Sequence, residues 1–215
     1  MRTIASVVEE VIERSPFYAE ALFEGIANNA EIARRIRPAV EKRLYEKVSE
    51  AAIAMALHRL SKNFRRPVFG ATFLKRLHDI TVRSNLVEFI FSNSATFSDE
   101  LQSIYRQASK KDTFLNFSRG LRESLLVINK EFEAEIGAIL KKEKNVRRID
   151  SLSAITMILP EQSLSVPGVY HPILKAIAAE GISFIEVMSL GTEFSILFDD
   201  KDVDRAFSVL KKITS

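Results

Sequence analysis

The residue types that carry out acid–base, nucleophilic or metal chemistry are sparse in this 215-residue sequence and poorly spaced for it. The three histidines, His58, His78 and His171, fall at no metal-ligand spacing, and no cysteine is present to supply a thiolate or a disulfide. No serine lies in a nucleophile-elbow pattern. The seven glycines form no phosphate-binding loop. Asp199 and Asp200 are adjacent carboxylates, but they open a helix, where acids meet the positive end of the helix dipole. The sequence therefore predicts a protein that is not an enzyme and uses no metal or cofactor. Two places remain for binding chemistry. Pro167-Gly168 lies in a loop ahead of a helix, where free backbone N–H groups suit a carboxylate. Ser49, His58, Arg59, Lys62, Arg65 and Arg66 form a helix-start and basic set suited to phosphates.

The elements that position the first place occupy residues 151–210. Ala154 to Leu159 is an apolar run of strand length, broken by Pro160. Ile173, Leu174, Ile177 and Ala178 recur at helical spacing up to Gly181, a natural helix stop. Ile182 to Val187 alternates as a strand, Gly191-Thr192 turns, and Phe194 to Phe198 forms another β-rich run. A last helix carries Val203, Ala206, Phe207 and Leu210.

This order resembles an ACT domain, the small ligand-sensing module of amino-acid metabolism, and most closely those that end aspartate kinases. The matching features are Pro167-Gly168 in the first strand-to-helix loop, Gly181-Ile182 at the start of the second strand, Phe194 to Asp200, and Ala206 with Leu210. The resemblance implies a ferredoxin-like fold that binds an amino acid between two domains. It implies Ser165, Val166, Pro167, Gly168, Val169 and Tyr170 as ligand contacts from the loop, and Ile182, Ser183 and Phe184 as contacts from the strand.

Residues 77–150 repeat the order strand, helix, strand, strand, helix. Ile80 to Phe91 is β-rich, Ser98-Asp99-Glu100 opens a helix with Leu101, Ile104 and Tyr105 inward, and Phe114 to Phe117 and Leu125 to Ile128 flank Gly120. A helix over Glu131 to Lys142 and a final strand, Val146 to Ile149, complete the repeat. Ser92 to Phe97 stands where Pro-Gly would be, so this copy is not expected to bind ligand in the same way. Tandem ACT units are how aspartate kinases end, whereas their catalytic domain is not in this sequence.

Residues 1–70 read as helices punctuated at Pro16, Asn28-Asn29 and Lys47-Val48. Ile4, Val7, Val8, Val11 and Ile12 form an inward stripe, and Ser15-Pro16 starts a helix expected to bury Phe17, Ala21, Leu22 and Phe23. Pro38 should kink or divide the third helix. Glu31 to Ile36, followed by a helix opened by Val48-Ser49, resembles a helix-turn-helix or winged-helix domain, although Arg37 to Lys47 replaces the usual tight turn. Two readings stand: a DNA-binding head, or a helical dimerisation or linker domain with a solvated basic face. Arg65 to Ala71 marks the domain boundary, and a short helix is expected over Thr72 to His78.

Charge adds an asymmetry. Residues 1–76 hold 14 Lys+Arg against 9 Asp+Glu, and residues 77–215 hold 17 against 19, so the two parts are +5 and −2. The hydrophobic fraction of 47% suits a folded chain, with no apolar run of the ~18 residues that a bilayer span needs. The expectation is an α+β protein: an all-α, helix-turn-helix-like domain (1–70) followed by two ferredoxin-like βαββα(β) ACT domains (77–150 and 151–215). It would be a cytoplasmic homodimer that senses an amino acid and regulates transcription on DNA. The rival expectation is a stand-alone regulatory subunit or partner of an amino-acid kinase, with the helical domain as its dimeriser.

Overall fold

The computed structural model of the chain describes residues 2–63, 79–110 and 113–214. The chain divides into two compact units, Met1–Val68 and Phe69–Ser215. The expected helix at Thr72 to His78 lies outside the described residues, as do Arg65 and Arg66.

The first unit contains α1 (Ile4–Glu13), α2 (Pro16–Phe23), α3 (Asn29–Leu44) and α4 (Glu50–Asn63). Each starts where local chemistry favours it. The Ser6 N–H donates to Thr3 Oγ1 at 3.1 Å and the Thr3 N–H to Ser6 Oγ at 3.0 Å, a reciprocal cap on α1. Asn28 Oδ1 accepts from the Glu31 N–H at 3.2 Å, and Ser49 Oγ from the Ala52 N–H at 3.2 Å. Ser15 holds the cap position of α2 but its hydroxyl makes no cap bond; Pro16 at the first helical position, with φ already set, starts that helix. The apolar stripe of α1 is buried against Leu22, Ile32, Ile36, Ile53 and Leu57.

One of the two alternatives for Pro38 is excluded, and one expectation for α2 fails. Pro38 does not divide α3, which runs on to Leu44 and stops at Tyr45, whose φ is +60°. Phe17 is 83% exposed and Phe23 lies at the surface, because α2 turns Ala19 and Leu22 inward instead. In a helix this short the inward stripe is narrow, and the two aromatics fall off it.

The second unit runs β1 (Ile80–Ser92), α5 (Ala95–Lys110), β2 (Leu115–Arg119), β3 (Glu123–Asn129), α6 (Glu133–Leu140), β4 (Arg147–Ile158), α7 (His171–Ala179), β5 (Glu186–Leu190), β6 (Glu193–Asp199) and α8 (Asp200–Thr214). It is of the α+β class. The strands form one antiparallel sheet in the order β2-β3-β1-β4-β6-β5. Strand, helix, strand, strand, helix therefore occurs twice, and the halves meet where β1 pairs with β4. About the facing pair Leu86 and Leu152 the register is symmetric: Arg83 faces Ala154 on one side and Glu88 faces Ile149 on the other. A bulge flanks the pair on each strand, at Asn85 (φ +60°) and at Ser151 (φ +58°).

Alternation along the strands sends residues to two faces. On one face, α5 and α6 bury Ile104, Ile136 and Leu140 against Val87, Phe89, Phe91 and Leu126. Further along the same face, α7 and α8 bury Ile173, Ile177, Ala206 and Leu210 against Ile155, Phe194, Ile196 and Phe198. Among the described residues of this unit no helix covers the opposite face, yet Leu86, Val127, Leu152, Ala154 and Leu197 are buried on it. Phe114, just before β2, and Met188 of β5 pack onto this cluster from opposite edges of the sheet, so the sheet is curled over it.

Three sequence boundaries move. The helix expected from Ser98 begins at Ala95, because Ser94 Oγ accepts the Phe97 N–H at 3.2 Å and Phe97 is wanted in the core. The expected final strand Val146 to Ile149 and the next strand are a single strand, β4, since β1 is long enough to pair with both stretches. The strand expected to start at Ile182 starts at Glu186. Ile182 closes α7, its N–H donating to the Ile177 carbonyl at 3.2 Å, with Gly181 at φ +65°.

Candidate functional site

The loop before α7 has its own internal order. Glu161–Ser165 forms a 3-10 turn, the Val166 N–H donates to the Ser163 carbonyl at 3.0 Å, and the His171 N–H to the Gly168 carbonyl at 3.0 Å. Gly168 takes φ +72°, which an L side chain rarely adopts. Ser165, Pro167 and Gly168 are exposed, Val166 is half-buried, and Val169 points into the core. Tyr170 stacks on Phe194 with centroids 4.3 Å apart, and its hydroxyl is 2.8 Å from Ser189 Oγ. That side chain is thereby fixed against β5 and β6.

Ile182 is buried, whereas Ser183 and Phe184 are exposed. These three lie past the C-terminal end of α7 and the loop lies at its N-terminal end. A helix spanning His171–Ala179 is roughly 13 Å long at ~1.5 Å per residue, so the structure does not bring the two sets together within one half.

In the helical unit, His58, Arg59 and Lys62 are exposed on α4 along with Met55. Ser49 is spent on capping α4, and Glu50 in its first turn pairs with Arg37 at 2.9 Å. An acidic residue already occupies the end where a phosphate would dock. Arg34 and Arg35 are likewise bound to Glu31, whose carboxyl they pull down to about 2.

A third place escaped the sequence reading. On the helix-free face, residues of both sheet edges line the same cavities. One, of about 240 Å³, has Asn116 and Ser118 of β2 on one side and Glu186 and Met188 of β5 on the other. A neighbour of about 270 Å³ shares Asn116 and Met188 and adds Arg83, whose guanidinium lies 5.6 Å from the centre of the Phe114 ring. Glu88 projects from this same face, as its register with Val127 requires. It is fully buried, and among the described residues neither carboxylate oxygen has a hydrogen-bond partner. Burial pushes its carboxyl up to about 7; Glu186 adds to the rise and Arg147 opposes it. Glu186 is itself raised by burial. The signal was available in the sequence, because Glu88 is a lone charge inside the apolar run Leu86 to Phe91. Among the described residues, no group of three or more His, Cys, Asp or Glu is placed to hold a metal, and no helix is long and apolar enough to cross a membrane.

No family model and no curated protein matches the sequence. Solved structures do match. The regulatory subunit of aspartate kinase from Thermus thermophilus, in its ligand-free form, aligns over 65% of this chain and 98% of its own, at 9% identity and a TM-score of 0.51. In fold, the chain resembles an aspartate kinase regulatory subunit. Aspartate kinase from Clostridium acetobutylicum matches over 65% of this chain at 10% identity and a TM-score of 0.55, and that from Synechocystis over 64% at 11% and 0.51. The match spans only 35% and 27% of those two kinase chains. The likeness to aspartate kinase regulatory regions read from Pro167-Gly168, Gly181-Ile182 and Phe194 to Asp200 thus has a counterpart in three dimensions. At such low identity it is a likeness of fold.

Proposed function

We propose that this protein is a non-catalytic regulator that senses a small ligand, an amino acid, through its second unit, each half being one ACT domain. The observation that carries this is the doubled βαββα order about Leu86 and Leu152 in a fold like that of an aspartate kinase regulatory subunit. The amino-acid site of the proposal is the loop Ser165 to Tyr170, open at Gly168 and backed by the fixed Tyr170 ring. Of the strand set Ile182, Ser183 and Phe184, at the far end of α7, the exposed Ser183 and Phe184 would complete it from another copy, so the proposal includes a homodimer. A ligand that binds the folded state alone stabilises it by about 2.7 kcal/mol at a hundred times its Kd. Melting the full chain with each of the twenty amino acids is therefore expected to raise Tm for one or a few of them. A uniform Tm across the set rejects amino-acid sensing.

For the helical unit, the exposed His58, Arg59 and Lys62 support an output on DNA. Replacing Arg59 and Lys62 together by glutamate is then expected to abolish a salt-sensitive DNA complex, and unchanged binding rejects that output. A second reading, a protein partner, is favoured by Phe17 and Ile26, which are 83% and 79% exposed. Loss of complex formation in Phe17→Ser, with DNA binding absent throughout, selects it.

A further inference from the structure

We infer that the cavity between the two sheet edges binds a primary ammonium group, held by Glu186 on its wall with the buried Glu88 supplying the second negative charge. This goes beyond amino-acid sensing at the Gly168 loop and does not rest on it. The internal symmetry of the sheet provides the argument. Asn116 pairs with Val127, which pairs with Glu88; in the other half Glu186 pairs with Leu197, which pairs with Ala154. Glu88 therefore has Ala154 as its counterpart, and Glu186 has Asn116. The fold accepts a neutral residue at both places, so neither carboxylate is required to build the sheet.

Both acids nevertheless stand on the same face of the sheet, Glu186 on the wall of the cavity and Glu88 buried close enough for Glu186 to raise its carboxyl, and there they carry a cost. Glu88 is fully buried and, among the described residues, has no hydrogen-bond partner for either oxygen, although buried carboxylates are ordinarily hydrogen-bonded or paired. The groups that face it are Leu125 and Val127 on β3, Ile149 and Arg147 on β4, and Glu186 on β5. Arg147 is already shared with Glu123, at 2.9 and 3.0 Å. Glu186 raises the Glu88 carboxyl further, a cost that a cation beside the two would relieve. The space of about 240 Å³ admits a small aliphatic amine, with Met188 and Leu125 for its methylenes and Asn116 and Ser118 for the remaining N–H bonds. An ammonium bound there ionises Glu88 and expels its proton. Arg83 in the adjoining cavity is placed to meet a carboxylate, so an amino acid and a simple amine share the ammonium site but differ in their need for Arg83.

The test uses the full chain with butylammonium, L-lysine and, as uncharged control, butanol. Calorimetry near pH 6.5 in buffers of different ionisation enthalpy is expected to show butylammonium binding with proton release, and no binding of butanol. Glu186→Gln is expected to weaken butylammonium at least tenfold. Glu88→Gln, which keeps the shape of the side chain, is expected to abolish the proton release. If L-lysine is the better occupant, Arg83→Gln weakens it and leaves butylammonium unchanged. Equal responses to butylammonium and butanol, or full affinity in Glu186→Gln, overturn the inference. The proton release is measured on the unaltered protein, so this arm stands however the variants fold.

Discussion

The two halves of the α/β unit have the same wiring and opposite local chemistry. In the first half, only Asn93 and Ser94 separate β1 from α5, and both are tied down. Asn93 Nδ2 donates to the Gly120 carbonyl at 2.9 Å, the Ser124 hydroxyl donates to Asn93 Oδ1 at 2.7 Å, and Ser94 caps α5. In the second half, Leu159 to Tyr170 intervene between β4 and α7, with a 3-10 turn, an exposed Pro167-Gly168 and a left-handed glycine. The halves also differ on the helix-free face, where Glu88 stands against Ala154 and Asn116 against Glu186. The lesson is that a symmetric backbone constrains the apolar layers and leaves loops and single polar positions free to diverge. Function is then to be sought where the symmetry breaks.

The strongest test concerns what the halves share. Leu86→Ala and Leu152→Ala each remove a fully buried side chain from the pair on the pseudo-axis, and each is expected to cost about 3 kcal/mol. Because one sheet joins the halves, either change should shift a single unfolding transition of the whole α/β unit in urea, followed by circular dichroism. Two separate transitions would show that the halves fold independently.

The next test sets Glu88 against its neutral counterpart Ala154. With the folded-state carboxyl pushed up to about 7, above the ordinary range near ~4.3, the folded unit favours the protonated form. Its contribution is complete below the unfolded value and is lost as pH rises through about 7. Stability of the unaltered chain should therefore decline from about pH 4 to pH 7, and Glu88→Gln should reduce that decline, leaving the part that the raised Glu186 contributes. Asp150, held down to about 2 by Lys130, the Ser151 N–H and Arg148, acts with the opposite sign and loses its contribution only as pH falls toward that value.

The loops provide a smaller contrast. Gly168→Ala forces a Cβ into the left-handed region and is expected to cost about 1 kcal/mol. Ser94→Ala removes a helix cap, also for about 1 kcal/mol, but only Gly168→Ala should change the response to amino acids in the melting assay. Equal ligand effects from the two variants would erase the functional difference between the loops.

The smallest effect belongs to the bulges. Ser151→Gly relieves a left-handed serine and should stabilise by up to about 1 kcal/mol. Asn85→Gly should gain less, because asparagine tolerates that conformation and Asn85 Nδ2 also donates to Glu131 at 3.1 Å. Equal gains would mean that the two bulges are energetically equivalent.

The sequence by itself determined the order of the elements in both halves and in the helical unit. Periodicity, proline and glycine stops and capping residues act within a few positions, as at Asn28, Gly181 and Gly191. It also determined the likeness to aspartate kinase regulatory regions, through Pro167-Gly168 and the residues that follow at the expected spacing. Only the tertiary structure decided that Val146 to Ile149 and the next strand are one strand, because β1 at a distance selects how far β4 extends. It likewise decided that Phe17 faces solvent and that Glu88 and Glu186 stand on one face of the sheet. Those outcomes depend on which elements become neighbours and how they pack, and neither is encoded in any local stretch of residues.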